Sequence, residues 1–394
     1  MKKEWKSPKI IIGKDATGEY YYRRKETENE IWYELQKGNN VLIAAPRRVG
    51  KTSVMKYITE TPKDGYKLIF RNVQGIDSEQ IFYKTIYELI ICCLDNFKSK
   101  VKWWENYIKS KKITEVSISG GIKIEDKNIN YLQEINEIIP KLEASEETVV
   151  LLLDELPEVL HNIYKKGNKN IALSIIKNLR HWRQENKYKK LQWVLAGSIG
   201  LHYVINLIEG RSSDINDLKK VYYQPLDTDE NEKYLDWATE NATIKYDKNL
   251  RKYLFSKIQY YVPYFINLML DEIDKDAHKK NQTVITQKDI DYAFNRIIKN
   301  NEYFSDWKKR LEDYLPTNDF RFVNEILIHI AHKNQITIQE IYNKAVRHNI
   351  TINYMDLIND LEHDGYIVEH DQKYIYISPF LKEFWKRNNP IYNG

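Results

Sequence analysis

Three consecutive residues near the N-terminus, Gly50, Lys51 and Thr52, have the types and order needed to bind a phosphate and a metal ion. A short apolar run, 40–45, precedes them, and a helical pattern follows. At such a helix N-terminus, backbone N–H groups surround a phosphate, a lysine reaches its oxygens and a hydroxyl binds Mg²⁺. Ala45 stands where this loop usually begins with glycine, so a solvated basic turn stays an alternative. The expected nucleotide-binding residues of the loop are Ala45, Pro46, Arg47, Arg48, Val49, Gly50, Lys51, Thr52 and Ser53.

Two adjacent carboxylates follow a second apolar run. Asp154 and Glu155 close the segment 148–155, "TVVLLLDE". A carboxylate at the end of a strand beside the loop can hold Mg²⁺ together with Thr52, and a glutamate after it can polarise the attacking water. This arrangement predicts a site that binds and hydrolyses ATP. A helix N-cap pair is the alternative interpretation of the two acids.

A third apolar run ends near a hydroxyl group. Ser198 follows the run 191–197 and is placed to contact a γ-phosphate or a water molecule. A helix N-cap explains the same serine equally well. The sequence has no recognisable hydrolytic-triad motif and no histidine pair with metal-ligand spacing beside an acid, so it supports neither a triad hydrolase nor a zinc site.

These residues need a sheet that brings the ends of strands together. Near-continuous apolar runs separated by helical patterns predict a parallel sheet covered on both faces. We expect the loop strand and the carboxylate strand, the first and third runs, to finish side by side. The period-two stretch 113–126 around Gly120 and Gly121 predicts a β-hairpin outside the sheet. The predicted sheet strands are 40–45, 66–73, 148–155, 191–197 and 219–226.

The chain divides into three predicted domains. Residues 1–226 form an α/β core, and residues 227–317 carry apolar side chains at helical spacing, as in a small helical domain. Residues 318–394 show three helical patterns followed by two alternating strands, which is the order of a winged helix-turn-helix domain.

The composition is typical of a soluble globular protein. Of the 394 residues, 42% are hydrophobic and 30% are charged. The run Val149 to Leu153 is too short to cross a bilayer, and the N-terminal segment lacks a signal-peptide pattern. Cys92 and Cys93 lie among apolar residues and are expected to be reduced core thiols. The sequence therefore predicts a cytoplasmic protein.

Four segments together resemble one family. They read "RRKETENEIWYELQKGNNVLIAAPRRVGKTSVM", "LLLDELPEVL", "LAGSIGLH" and "YYVPYFINLMLDEI". They resemble the archaeal-type ATPase group of the STAND P-loop NTPases, relatives of the AAA+ initiator ATPases that end in a winged helix. Loops of the form APRRxGKTS are familiar in that group. Over roughly residues 10–390, the resemblance implies an AAA+/STAND-like P-loop core, a helical lid domain and a C-terminal winged helix-turn-helix domain.

The resemblance also implies roles for single residues. The "PYFINLM" helix would form the lid. It carries no arginine that could make a sensor 2 contact, and the arginine nearest to it in the sequence is Arg251. Arg211 would be the arginine finger, with an ordinary surface arginine as the alternative. The other implied roles are Lys51 and Thr52 on phosphates and Mg²⁺, Asp154 and Glu155 on the metal and the water, Ser198 as the sensor, and Arg23 or Arg24 beside the base or ribose.

Positive charge is concentrated between residues 164 and 190, which contain nine Lys or Arg and one acid. If nucleic acid is bound, this stretch is the candidate surface, with His181 and Trp182 among its cations and the tryptophan-containing segment 99–112 in addition. A solvated basic helix face is the alternative. The candidate nucleic-acid contacts, all expected to be exposed, are Lys177, Arg180, Arg183, Lys187 and Lys190.

The predicted recognition helix of the winged helix has the opposite charge. Its sequence, "INYMDLINDLEHDGY", contains no Lys or Arg. Since acidic side chains repel a phosphate groove, this helix is expected to contact protein or to pack on the ATPase core. Its acids are Asp356, Asp360, Glu362 and Asp364.

Two functional hypotheses follow from these patterns. In the first, the protein is an ATPase with ATP and Mg²⁺ as cofactors, and nucleotide controls its opening or its assembly into a homo-oligomer, in DNA transactions or in defence against mobile elements. In the second, it is a DNA-associated regulator or a protein-interaction module that uses bound nucleotide structurally with little turnover.

Overall fold

A computed structural model describes residues 4–95, 106–107, 113–117, 121–124, 129–185, 188–197, 201–210, 213–352 and 354–392. The chain forms two compact units. The first, which we call the sheet unit, consists of Arg23–Ala44 and Lys51–Tyr223. The second, which we call the C-terminal unit, consists of Met1–Tyr22, Ala45–Gly50 and Gln224–Gly394.

The sheet unit is built on five parallel strands in the order β2-β5-β6-β1-β7. Each of the five predicted runs forms one of these strands, so the predicted parallel sheet is confirmed. The strands of this unit are β1 (Val41–Ala44), β2 (Tyr66–Asn72), β3 (Ile113–Ser117), β4 (Gly121–Ile124), β5 (Thr148–Asp154), β6 (Leu191–Ala196) and β7 (Lys219–Tyr222).

Strands in the interior of this sheet have continuously apolar sequences. In β5, the side chains of Leu151, Leu152 and Leu153 are 0% exposed, because helices cover successive side chains on opposite faces. Complete burial of such a leucine contributes about 1.5–3 kcal/mol to folding. The edge strand β7, by contrast, exposes Lys219 and Lys220.

The helices that cover the sheet include one with both cysteines. Cys92 and Cys93 are buried and form no disulfide within the described residues, as predicted, and burial raises the pKa of Cys93. The helices of the sheet unit are α1 (Lys25–Gln36), α2 (Lys51–Glu60), α3 (Glu79–Asp95), α4 (Tyr131–Ile138), α5 (Leu156–Lys165), α6 (Lys169–Gln184) and α7 (Leu201–Glu209).

The predicted hairpin is also confirmed. Strands β3 and β4 pair antiparallel and form a two-stranded sheet of their own. Ile113 lies opposite Ile124, and Ser117 lies opposite Gly121.

The C-terminal unit is helical in its first part. Its N-terminal segment lies along these helices: the amide of Lys9 donates to the carbonyl of Ala238 at 2.6 Å, and the Asn267 side chain donates to the carbonyl of Ile11 at 3.0 Å. These helices are α8 (Thr228–Thr239), α9 (Lys248–Ile258), α10 (Pro263–Lys280), α11 (Gln287–Lys299) and α12 (Ser305–Tyr314).

The second part of this unit combines helices with a small antiparallel sheet in the order β8-β10-β9. The predicted order, three helices and then a hairpin, is observed. The elements are α13 (Thr317–Lys333), β8 (Ile336–Thr337), α14 (Ile338–His348), α15 (Tyr354–His363), β9 (Ile367–His370), β10 (Lys373–Tyr376) and α16 (Pro379–Asn388).

An aromatic cluster joins the two parts of the C-terminal unit. The ring of Phe265 from α10 stacks on Phe380 from α16, with centroids 5.1 Å apart, and on Trp307 from α12 at 6.5 Å. All three side chains are 0% exposed. Because these residues come from both sides of position 318, the separation of 227–317 from 318–394 as domains stays a prediction.

Within the described ranges, no helix combines the length and the apolar character needed to span a membrane.

The acidic helix α15 has a carboxyl group with an unusual proton affinity. Asp360 is half-buried, and burial raises its pKa to about 7. The charge of Asp364 adds to this rise, and His363 opposes it. In an unfolded chain the same carboxyl titrates near pH 4. The folded protein therefore binds more protons between about pH 4 and pH 7, so its free energy of unfolding falls as the pH rises through this window.

We expect Asp360→Asn to remove this dependence and to raise the free energy of unfolding at pH 8 by roughly 1–2 kcal/mol, after allowance for solvent screening. Urea denaturation at pH 5 and pH 8 measures the effect, with Glu312→Gln as the control, because Glu312 is an exposed acid whose charge does not contribute to the shift of Asp360. If the Asp360 variant kept the wild-type difference between the two pH values, the assignment would be wrong.

Candidate nucleotide site

The predicted metal ligands meet in the sheet unit. Thr52 lies in the first turn of α2, and Asp154 is the last residue of β5. The Thr52 hydroxyl donates a hydrogen bond to Asp154 Oδ2 at 2.5 Å. Asp154 is 1% exposed and Lys51, beside Thr52, is 7% exposed. The structure therefore brings a hydroxyl and a carboxylate to one buried position beside a lysine.

The strands that carry these residues are not neighbours. The prediction that the loop strand and the carboxylate strand finish side by side is wrong, because β6 lies between β1 and β5 and pairs with both. A side chain from the first turn of α2 nevertheless reaches Asp154, because the helix begins beyond the end of β1.

The electrostatics of Asp154 favour a cation. Burial raises the pKa of this carboxyl, and the hydrogen bond from Thr52 opposes the rise. The charge of Lys51 and a hydrogen bond from the amide of Glu155, at 3.1 Å to Asp154 Oδ1, also oppose it. Mg²⁺ prefers hard oxygen ligands and is commonly held by one or two carboxylates together with phosphate oxygens. The Thr52 hydroxyl and the Asp154 carboxylate fit this ion.

Glu155 has a strained backbone. Its φ of 63° and ψ of 29° lie in the left-handed region, at the N-cap position of α5. This conformation is costly for a residue with a side chain, about 1–3 kcal/mol, and such strain is often found at functional sites. The Glu155 side chain makes no capping hydrogen bond, although the residue does occupy the N-cap position that the alternative interpretation proposed.

The loop Ala45–Gly50 belongs to the C-terminal unit. Gly50 has a φ of 111°, which a residue with a side chain rarely adopts, and Arg48 has a φ of 63°. Ala45 and Val49 are buried, at 6% and 1% exposure. Ser53, which follows on α2, is 6% exposed.

The two loop arginines contact distant residues of the C-terminal unit. Arg47 Nη2 lies 3.2 Å from Asp306 Oδ2, and Arg48 Nη2 lies 3.6 Å from the same oxygen. The Arg48 guanidinium also lies over the ring of Tyr264 at 4.0 Å, and that of Arg47 over Trp307 at 5.7 Å. Sequence reasoning missed these partners, because no motif links positions more than 200 residues apart.

The arginines expected near the base or ribose lie in the sheet unit. Arg23 is paired with Glu28 at 2.6 Å and lies 4.9 Å from the ring centroid of Tyr57. Arg24 is 7% exposed and lies 5.0 Å from the ring centroid of Tyr223. Their predicted roles in nucleotide binding stay predictions.

Several predicted residues lie outside the part of the chain that the structure describes. They are the sensor candidate Ser198, the arginine-finger candidate Arg211, the nucleic-acid candidate Lys187 and most of the segment 99–112. Arg251, the candidate for a sensor 2 contact, pairs with Asp236 at 2.6 Å and Glu232 at 3.1 Å.

The basic stretch is less exposed than the sequence analysis expected. Arg183 has a side chain only 2% exposed and donates two hydrogen bonds to Asp217, at 2.7 and 3.0 Å. Arg180 forms an ion pair with Asp214. The expectation that Arg183 is exposed is wrong, because an acidic segment that follows α7 in the chain supplies its partners.

Trp182 is also internal. It is 0% exposed, stacks on Trp193 with centroids 6.0 Å apart and donates to the Asn136 side chain at 2.8 Å. Its expected place among exposed cations is therefore wrong. Lys177 is exposed, and Lys190 is half-buried with Nζ 3.1 Å from the carbonyl oxygen of Glu146.

The fold and the site together define the class of protein. A parallel five-stranded sheet, with a glycine-lysine-threonine sequence between β1 and α2 and a strand-end aspartate bonded to that threonine, is an α/β P-loop NTPase fold. Residues 13–296 match the family described as an AAA-like domain. The chain belongs to that family.

Solved structures share this fold at low sequence identity. The Walker-type ATPase of Pyrococcus abyssi is 16% identical with a TM-score of 0.60, and the match covers 94% of this chain and 98% of that one. The ORC2 protein of Aeropyrum pernix, solved in ADPNP-ADP complexes, is 11% identical with a TM-score of 0.52, covering 97% of this chain and 95% of that one. No curated protein matches the sequence.

The contact of the loop with Gly365 gives a test of loop packing. Gly365 has a φ of +79°, and a Cβ there would lie 2.9 Å from the Pro46 Cβ and 3.0 Å from the Tyr260 hydroxyl. We expect Gly365→Ala to lower the free energy of unfolding by about 1–3 kcal/mol, measured by thermal or urea denaturation.

Gly13→Ala is the matched control for this variant. Gly13 belongs to the same unit and has a similar φ of +75°, but a Cβ there would meet nothing within 4 Å. The control carries the backbone strain without the clash, so Gly365→Ala should be clearly the less stable of the two. Equal stabilities would show that Gly365 does not pack against the loop as described.

Proposed function

We propose that this protein binds ATP with Mg²⁺ and hydrolyses it. The observation that supports this most strongly is the hydrogen bond of 2.5 Å between Thr52 and Asp154, since it joins the two residues that the sequence motif assigns to the metal. The match of residues 13–296 to the AAA-like domain family supports this proposal, as does the fold shared with a Walker-type ATPase.

Each residue of the site has a physical role in this proposal. Lys51, buried at the start of α2, neutralises the charge of the terminal phosphates. Thr52 and Asp154 would hold Mg²⁺, and the bound ion would supply positive charge to the phosphate oxygens. The backbone N–H groups that precede Lys51 donate to phosphate oxygens, as at other helix N-termini.

Glu155 completes the catalytic part of the proposal. The residue directly follows the proposed metal ligand Asp154, and its left-handed backbone conformation fixes the direction of its Cα–Cβ bond. A carboxylate there can accept a proton from the attacking water, and so orient it. Ser198 and Arg211 stay the proposed sensor and arginine finger of this site.

Lys51→Ala tests nucleotide binding. Loss of a buried charge-assisted contact to phosphate should weaken binding of a fluorescent ATP analogue by at least about tenfold in a titration with Mg²⁺ present. Lys56→Ala is the control, since Lys56 lies on the same helix and its Nζ lies over the Phe70 ring, 5.6 Å from the centroid. Wild-type affinity in the Lys51 variant would rule out the proposed site.

Glu155→Gln separates binding from hydrolysis. The amide keeps the size of the side chain but cannot accept the proton, so phosphate release should fall by about 10²–10⁴-fold while the affinity for ATP stays close to wild type. Glu158→Gln, which changes the next acid along α5, should leave the rate unchanged. Equal rates of phosphate release in wild type and Glu155→Gln would remove Glu155 from the mechanism.

A further inference from the structure

One carboxylate in the C-terminal unit holds both loop arginines. Asp306 lies in the first turn of α12, and its Oδ2 is 3.2 Å from Arg47 and 3.6 Å from Arg48. The carboxylate is 55% exposed, whereas the arginine side chains are only 15% and 21% exposed. Cations that are largely buried are thus matched by an acid that remains largely in solvent.

The positive charge of the arginines around Asp306 exceeds the single negative charge of its carboxylate. The pKa of Arg47 is lowered to about 10, mainly by burial and also by the charges of Arg310 and Arg48. Arg47 Nη1 and Arg310 Nη2 are buried and, among the described residues, have no hydrogen-bond partner. Buried donors without an acceptor are costly, and the cost is relieved when an anion with several oxygens binds.

The arginines are held where they are by aromatic rings as well as by the acid. Arg48 lies over Tyr264 at 4.0 Å and Arg47 over Trp307 at 5.7 Å, so both guanidinium groups keep a supporting surface if Asp306 moves away. The ion pairs with Asp306 are the exchangeable part of this arrangement, because an acid that is mostly exposed is readily solvated again.

We propose that Asp306 occupies the place of a nucleotide phosphate on Arg47 and Arg48, and that phosphate and Asp306 compete for these two arginines. This inference rests on the proposed function, because it assumes that the loop Ala45–Gly50 binds the phosphates of ATP. Its consequence is that nucleotide binding breaks the ion pairs of Arg47 and Arg48 with Asp306, while the contacts of the two arginines with Trp307 and Tyr264 remain. Asp306 therefore lowers the affinity for nucleotide, and nucleotide binding in turn changes the contacts of this residue of the C-terminal unit.

A carboxylate and a phosphate are chemically suited to this exchange. Both present oxygens that accept from the same guanidinium N–H groups, but a phosphate carries more charge and more acceptor oxygens. The triphosphate also gains contacts that Asp306 lacks, with Lys51 and with Mg²⁺ in the proposed site. The nucleotide therefore wins the competition, although Asp306 makes its binding weaker than it would otherwise be.

Asp306→Asn tests the competition. The variant removes the charge from an exposed side chain and should bind a fluorescent ATP analogue with Mg²⁺ about two- to fivefold more tightly than wild type, as expected for loss of a partly exposed ion pair. Glu312→Gln is the matched control, because Glu312 is an exposed acid on the same helix. This control should bind with wild-type affinity.

A double variant tests whether the two arginines are the groups for which Asp306 and phosphate compete. In the double variant Arg47→Gln/Arg48→Gln, adding Asp306→Asn should leave the affinity unchanged, because the groups for which the two anions compete are gone. Asp306→Ser in the otherwise wild-type chain should reproduce the gain of Asp306→Asn and show that it does not depend on the amide.

The outcomes separate the two proposals. If Lys51→Ala weakens binding but Asp306→Asn binds as wild type or more weakly, the competition is wrong and the proposed function stands. Equal gains from Asp306→Asn and Glu312→Gln would also overturn the competition, because a general change in charge would then explain both. If Lys51→Ala binds as wild type, the proposed function itself has failed.

Discussion

The hydrogen bond from Thr52 to Asp154 joins two residues that are 102 positions apart in the chain. It exists because β5 ends where α2 begins, and the buried parallel sheet fixes both elements. Burial makes the Asp154 carboxyl reluctant to carry its charge, so a hydroxyl, a lysine and an amide all support the ionised form. The same demand for positive charge is what makes this position suitable for a divalent cation.

Most of the local structure could be predicted from the sequence. The apolar runs that became β1, β5 and β6 are continuous because both faces of these strands are covered, and that pattern is visible without coordinates. The order of the strands was not predictable in the same way. Parallel neighbours are chosen by packing between distant segments, so the position of β6 between β1 and β5 leaves no signal in local periodicity.

Exposure was the property that the sequence pattern predicted least well. Arg183 and Trp182 lie in a stretch with nine cations and one acid, which is typical of a solvated face. Their partners, Asp217 and Trp193, come from outside that stretch, and only the folded chain shows that they meet. The same holds for Asp306 and the loop arginines, where a contact between distant segments decides how a local motif behaves.

Membership in the AAA-like domain family and a shared fold explain why the motif lies where it does, but they do not by themselves assign a reaction. The central claim is that Thr52 and Asp154 hold the metal of a bound triphosphate. A crystal structure with Mg²⁺ and a non-hydrolysable ATP analogue tests it most directly. The account predicts Mg²⁺ at the Thr52 hydroxyl oxygen, about 2.0–2.1 Å away, and beside the Asp154 carboxylate. A nucleotide bound elsewhere, with the Thr52–Asp154 hydrogen bond intact, would contradict it.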